Sequence, residues 1–251
     1  MTTECLVFPH GRADGPENMA LDDAILDLVA AGDDRAYLRT YGWTVPTLSL
    51  GYFQKINDVR AQGRWSEVAL VRRLTGGGAI LHDLELTYAL VVPVAHPLAR
   101  PNTTLYVAVH QAIVETLKTL GANTSRRGNL GIQSLDRRNR PLLCFNDADP
   151  EDIVLNGFKI VGSAQRRRSQ AILQHGSVLL RHSQFTPELA GLCDLAPIDV
   201  REDDLSDRLL RRIPEALGLI PFLEVIPENI RNRAAELVHT VYGNTDWMDQ
   251  R

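Results

Sequence analysis

Two side chains of complementary chemistry stand fifteen positions apart in LCFNDADPEDIVLNGFKIVGSAQ, residues 143–165: a cysteine, Cys144, and a lysine, Lys159. A thiol of pKa about 8.5 is mostly protonated at neutral pH, and an adjacent ammonium favours the nucleophilic thiolate. A desolvated neutral lysine would instead take the proton itself. Both routes need the pair in contact. The competing expectation for Cys144 is a small buried hydrophobe, the commoner fate of a free cysteine. Its setting favours chemistry, because CFNDADPED is a polar, acidic stretch and the segment after it can fold Lys159 back toward the thiol. Cys5 and Cys193 sit in apolar patterns and are expected in the core. Three cysteines without metal-type spacing imply free thiols in a reducing compartment.

A second stretch, RRLTGGGAILHD at 72–83, places Gly76, Gly77 and Gly78 between two arginines and a short run ending at His82. Consecutive glycines let backbone amides approach and surround an oxyanion or phosphate. The bland alternative is a flexible hairpin tip. The block is neither a P-loop nor a dinucleotide fingerprint, since no G-K-[ST] follows and no helix opens behind it. Arg72 and Arg73 are neighbours on a strand, so one is expected to enter a pocket and the other to be solvated. Thr75 can cap the turn or bind a ligand, and His82 can orient a polar group. No G-x-S-x-G elbow, H-E-x-x-H or Cys/His cluster is present, so a serine nucleophile and a metal are not expected.

The elements that must position these residues are legible in outline. PENMALDDAILDLVAA, 16–31, has helical apolar spacing behind a proline and stops at Gly32; Thr103 to Leu120 has the same period. RAYLRTYGW, PTLSLGYF, VALVRRLTGG, AILH and LTYALVVPV read as strands of one sheet. Asn156-Gly157 between two apolar runs predicts a tight hairpin with Lys159 on the return strand. QAILQHGSVLL continues the sheet, the polar stretch 123–141 reads as loops and ragged strands, and 186–243 reads as mostly helical, punctuated by Pro197, Pro214 and Pro227. Runs of strands with inserted helices indicate an α+β fold.

At 251 residues with 44% apolar composition, one large domain is the expectation, residues 1–251. No segment approaches the roughly 18 continuous apolar residues of a membrane helix, so a soluble, cytoplasmic protein without membrane contact is expected. The net charge of −4 speaks against nucleic acid. Charge is uneven: residues 121–181 carry ten basic and five acidic side chains. That segment suits an acidic partner or is simply a set of solvated arginines.

ENMALDDAIL, LRTYGWTVPTLSLGYFQ, VRRLTGGGAILHDLELTYALVVP and GFKIVGSAQRRRSQAILQHGSVLL together resemble, in order and spacing, the catalytic domain of the lipoate-protein ligase, octanoyltransferase and biotin ligase superfamily. The likeness covers about 16–195, leaving 196–251 as a helical C-terminal extension. It implies a mixed, largely antiparallel sheet flanked by helices, class II synthetase-like. Two details are most like the cysteine-dependent octanoyltransferases that act on the glycine cleavage H protein: HDLELTY after the glycines, where ligases carry a Gly-Asn pair, and Cys144-Phe145 at that branch's nucleophile position. The resemblance makes Cys144 the acyl-accepting nucleophile and Lys159 its activating partner. Arg73, Thr75, Gly76, Gly77, Gly78 and His82 would line the acyl and headgroup pocket, with backbone of Gly162, Ser163 and Ala164 along the same cleft. It implies octanoyl transfer from an acyl carrier protein thioester to a lysine of a lipoyl domain, of the glycine cleavage H protein or a dehydrogenase E2 subunit, without a cofactor. The alternative it leaves open is a lipoate ligase using ATP and magnesium through an acyl-adenylate. A third is a relative that binds without turnover, against which the Cys-Lys pair speaks.

Overall fold

Strands buried on both faces read as near-continuous apolar sequence, and ELTYALVVP and AILQHGSVL become the antiparallel central pair of the main sheet, β6 (Glu85–Pro93) and β10 (Ala171–Leu179). The computed structural model describes residues 4–130 and 141–250. On one side of the pair lie β2 (Ala36–Trp43), β1 (Glu4–Ala13) and the edge strand β11 (Ile220–Leu223). On the other lie β9 (Phe158–Arg168), β8 (Ile153–Leu155) and β7 (Ser125–Arg126). Pairing is antiparallel from β2 to β7 and parallel at β1–β2 and β1–β11.

Alternation sorts side chains to two faces. Leu38, Tyr88 and Leu90 face α3 (Asn102–Thr119) and α5 (Glu202–Ala216), while Tyr37, Tyr41, Ala89 and Val91 face α1 (Gly15–Ala30) and α6 (Glu228–Leu237). α1 starts as its sequence predicts: the Asp14 carboxylate accepts the Glu17 N–H, Pro16 occupies the first turn, and Gly32 at φ +116° ends it. Among the described residues, no helix is long and apolar enough to cross a membrane.

The run expected to join one sheet divides into two. β3 (Thr47–Leu50), β4 (Ala69–Arg72) and β5 (Ile80–His82) form a separate three-stranded sheet in the order β4-β3-β5. Both β4 and β5 pair with β3, so the glycine segment between them crosses over β3 and is not a hairpin tip. The short helix α2 (Ile56–Arg60) fills the connection from β3 to β4. The segment after 196, expected to be helical, also supplies β11, because IPFL is too short and too apolar to hold a helical period. Pro214, read as punctuation, lies inside the last turn of α5, where its carbonyl still accepts from Leu217 and Leu219. The short helices α4 (Leu192–Leu195) and α7 (Thr245–Asp249) complete the chain. Of the stretch read as loops, β7 and a 3-10 turn at Arg127–Leu130 are described, and 131–140, with Gly131, lie outside the described residues.

Candidate active site

A tight turn delivers the lysine. Asn156 and Gly157, at φ 51° and 87°, join β8 to β9 with two residues, the left-handed geometry that Asn-Gly adopts at least cost. Ile153 pairs with Val161 but Val154 pairs with Lys159, so Ile160 is an extra residue on β9. Such a bulge re-aims side chains. It turns Lys159 onto the face of Gly162, where a Cβ on the glycine would lie 2.7 Å from Lys159 Cε. Only glycine leaves the lysine its path.

The cysteine stands on a 3-10 turn, Cys144–Asn146, pinned to the glycine segment. The Ala79 N–H donates to Leu142 O at 2.7 Å and the Cys144 N–H to Ala79 O at 2.8 Å. A Cβ on Gly78 would meet Cys144 N at 2.8 Å and Leu142 O at 2.9 Å, so this close approach also requires glycine.

These two devices bring the pair together. Lys159 Nζ lies 3.6 Å from Cys144 Sγ and donates to Cys144 O at 2.9 Å. It also pairs with Asp152 Oδ1 at 2.8 Å. Burial opposes charge on Lys159, but the Cys144 sulfur and the Asp152 carboxylate outweigh it and hold the amine above its ordinary range. Lys159 is therefore held as an ammonium. Asp152 is pushed up by burial and drawn down by Lys159. Cys5, fully buried, has its thiol pushed up to about 12 and is inert, while Cys193 is half-buried against the main core.

Both arginines are buried, contrary to the expectation that one would be solvated. Strand alternation does send them apart, but each side is roofed by protein. Arg72 donates to the carbonyls of Gly51, Tyr52, Gln54, Trp247 and Met248. Arg73 meets Ser49 O and Oγ, Thr75 Oγ1, Gly76 O and Gly78 O, which matches its five N–H donors. Arg73 thus shapes the glycine loop from behind.

The remaining sequence-picked residues divide between two spaces. An open cleft of about 270 Å³ is lined by Gly77, Cys144, Lys159 and Ser163, with Tyr106 of α3 opposite. A much smaller void, of about 20 Å³, is lined by Arg73, His82, Ala164 and residues of α1, β2, β6 and β10. Thr75 is wholly buried behind the loop, bonded to His175 Nε2 at 2.7 Å, and Gly76 lies beneath the exposed Phe53 ring. His82 stacks on Trp43 with ring centroids 3.9 Å apart and bonds Ser49 and Glu85.

Sequence reasoning missed Asp152, Tyr106 and His110. Asp152 was one of several carboxylates in NDADPED with nothing to single it out. The Tyr106 hydroxyl donates to Ser163 O at 2.6 Å and accepts from Ser163 N–H at 3.1 Å, beyond the point where β8 ends. His110 joins the Glu151 carbonyl at 2.5 Å to Ser163 Oγ at 2.7 Å. Burial, with Lys159 and Arg126 adding to it against the Glu151 hydrogen bond, pushes its imidazole down to about 3. Neutral His110 must carry its proton on Nδ1, facing the carbonyl, so Ser163 donates to Nε2. Both residues lie on α3, whose one visible sequence signal is its apolar period.

Among the described residues of 121–181, most basic side chains are paired with carboxylates of the same chain. Arg126 pairs with Glu151, Arg127 with Asp152, Arg168 with Asp23 and Asp27, and Arg181 with Asp199. The cleft mouth instead carries Asp147, Asp149 and Glu151. Among the described residues, no group of three or more His, Cys, Asp or Glu is disposed to hold a metal ion.

Known proteins similar to this chain fall in one group. The octanoyltransferase LipM of Macrococcus caseolyticus is 40% identical over 171 residues, which span 64% of this chain and 60% of the relative. That of Geobacillus kaustophilus is 41% identical over 169 residues, 65% of this chain and 60% of the relative. The match therefore takes in about three fifths of the length of these relatives. A crystal structure of lipoate-protein ligase A bound with ATP superposes with a TM-score of 0.77 at 25% identity, covering 98% of each chain. Residues 14–190 match the lipoyl protein ligase A/B catalytic domain. With that match over most of its length, the chain belongs to the lipoyl protein ligase A/B catalytic domain family.

Proposed function

We propose that this chain is an octanoyltransferase that moves a medium-length acyl group from an acyl carrier protein thioester to a lysine of a lipoyl domain through a Cys144 thioester. The observation that carries the reading is the Lys159 ammonium 3.6 Å from Cys144 Sγ at the mouth of a cleft. An ammonium at that distance stabilises the negative charge on an attacking or departing sulfur. The similarity to proteins named octanoyltransferase supports the same direction.

In the first transfer the Cys144 sulfur bonds to the acyl carbon and the carrier's sulfur departs, taking up the proton that Cys144 gave up. One thioester replaces another. In the second, the acceptor amine bonds to the acyl carbon, the bond to Cys144 breaks, the amine's proton passes to solvent, and the thiolate is left beside Lys159. Splitting the reaction this way means that two large proteins need not bind together. The Gly76 carbonyl points at Arg73, and a planar trans peptide sends the following N–H the opposite way. The Gly77 amide is thereby supported as a donor to each tetrahedral oxyanion, the group whose stabilisation is usually the largest catalytic contribution.

Intact mass after incubation with octanoyl carrier protein tests the reading. An octanoyl adduct on the wild-type chain, absent in Cys144→Ser, is the expected result. Pyrophosphate release from ATP and free octanoate or lipoate, with no adduct from the carrier, would make it a ligase instead.

A further inference from the structure

β9 carries the lining of the cleft from Lys159 beside Cys144 through Ser163 to Gln165. Arg166, the next residue, leaves the strand on the face shared by Gly162 and Ala164. Its guanidinium carbon sits over the Tyr52 ring, 5.3 Å from the centroid. Tyr52 meets the Phe53 ring edge-on at 4.9 Å and donates its N–H to Thr75 O, so this group stands where the glycine loop begins. Gly78, where the loop ends, is packed against Cys144. Strand and loop thus both run from Arg166 to the nucleophile.

Arg168, on the same face of β9, is paired with Asp23 and Asp27. Among the described residues, the buried Nε of Arg166 has no hydrogen-bond acceptor. A guanidinium held against an aromatic ring keeps its forked donors in one plane, the geometry that matches phosphate. The Phe53 ring beside it is 69% exposed and lies over Gly76. A cation next to an exposed ring suits an anion that carries a bulky alkyl group close by.

The carrier thioester of the proposed reaction has that chemistry. Its sulfur ends a pantetheine arm whose other end is a phosphate followed by a geminal dimethyl carbon. Thirteen bonds separate phosphorus from sulfur, ~15 Å at ~1.2 Å per bond, from the ~3.5 Å reach of three backbone bonds. Gly162 and Arg166 are four strand positions apart, ~14 Å at ~3.4 Å each. Gly162 marks the reacting end, since its Cβ position lies 3.1 Å from Lys159 Nζ, itself 3.6 Å from Cys144 Sγ. A phosphate joined directly to the acyl carbon, as in an acyl-adenylate, would sit at Lys159 and leave Arg166 unused.

Resting on the octanoyltransferase reading, we infer that Arg166 binds the phosphate of the carrier's pantetheine arm, which lies along β9 beside the glycine loop with its dimethyl carbon against Phe53.

The test uses two small donors that differ only in the phosphate, octanoyl-pantetheine and octanoyl-phosphopantetheine, with adduct formation on the chain followed by intact mass. Wild type is expected to show a KM about tenfold or more lower for the phosphorylated donor, the worth of hydrogen bonds to a charged group. Arg166→Gln should bring the two KM values together, and Arg166→Lys should keep part of the difference. Equal KM values in wild type, or a difference that survives Arg166→Gln, would overturn the site. So would an Arg166→Gln that weakens only octanoyl carrier protein, because the partner would then be an acidic side chain of the carrier. Should no donor give an adduct, the transferase reading fails by itself. Calorimetric titration with phosphopantetheine and pantetheine, neither bearing an acyl group, then decides the site: tighter binding of the phosphorylated arm that is lost in Arg166→Gln supports it, and equal binding overturns it.

Discussion

At the scale of single residues, the site depends on one charge and two missing side chains. Lys159 is an ammonium because Cys144 and Asp152 outweigh its burial. Lys159→Met removes that charge at nearly constant volume, so alkylation of Cys144 by iodoacetamide at pH 7 should slow about tenfold, consistent with the activation a neighbouring cation gives a thiol. An unchanged alkylation rate would separate the lysine from the sulfur's reactivity. Gly162→Ala places a methyl 2.7 Å from Lys159 Cε, so the lysine must swing out of line. Transfer activity should fall at least tenfold, and the melting temperature should fall with it, because a displaced lysine leaves the buried Asp152 carboxylate without its cation. Gly78→Ala presses instead on the backbone of residues 142 and 144. There the cost should appear in stability, about 1–3 kcal/mol in a denaturant titration, the usual range for overpacking against fixed atoms.

At the scale of elements, α3 is more than a cover for the sheet. Its Tyr106 and His110 hold Ser163, and His110 also holds the carbonyl just before Asp152. The His110 imidazole is pushed down to about 3, below its unfolded value of about 6.5. The unfolded chain thus binds the extra proton first as pH falls, so stability is full above pH 6.5 and is lost through the window from 6.5 toward 3. His82 is shifted in the same direction by its burial and adds to the loss. His110→Gln, which cannot titrate, should lose about 1 kcal/mol less than wild type between pH 7 and 5.5, read from urea midpoints. Equal losses would mean that His110 is not the buried neutral group described. None of this was legible beforehand, because the pattern of α3 reported its apolar period and was silent on where two polar residues would reach. By contrast Asn156-Gly157 gave the turn, and so the return of Lys159, directly. The bulge at Ile160 that aims the lysine was invisible, since it is a property of pairing with β8 and not of either strand alone.

At the scale of the whole molecule, the residues after 196 are built into the domain that carries the site. β11 extends the sheet beside β1, α6 lies on α1, and Arg233 of α6 shares Asp27 with Arg168 at the end of β9. The least obvious link is α7. The Trp247 and Met248 carbonyls receive the buried Arg72 guanidinium, and Trp247 Nε1 donates to Arg72 O at 2.9 Å. Arg72 is the residue before Arg73, whose side chain shapes the glycine loop, so the far end of the chain braces the loop beside Cys144 through one peptide bond. Ending the chain at Gly243 would strand a buried cation with two of its carbonyl partners gone. Hydrogen bonds to charged groups are worth about 1.5–3 kcal/mol each. A loss of about 3–5 kcal/mol is expected, lowering the melting temperature by about 6–20 °C for a chain of this size. Replacing Arg72 with Met in the truncated chain removes the stranded charge. That second variant should recover part of the stability without recovering the transfer rate, because the brace on the glycine loop is still absent. If truncation instead left both stability and rate unchanged, α7 would be an ornament on the fold and the loop would be held from β3 alone.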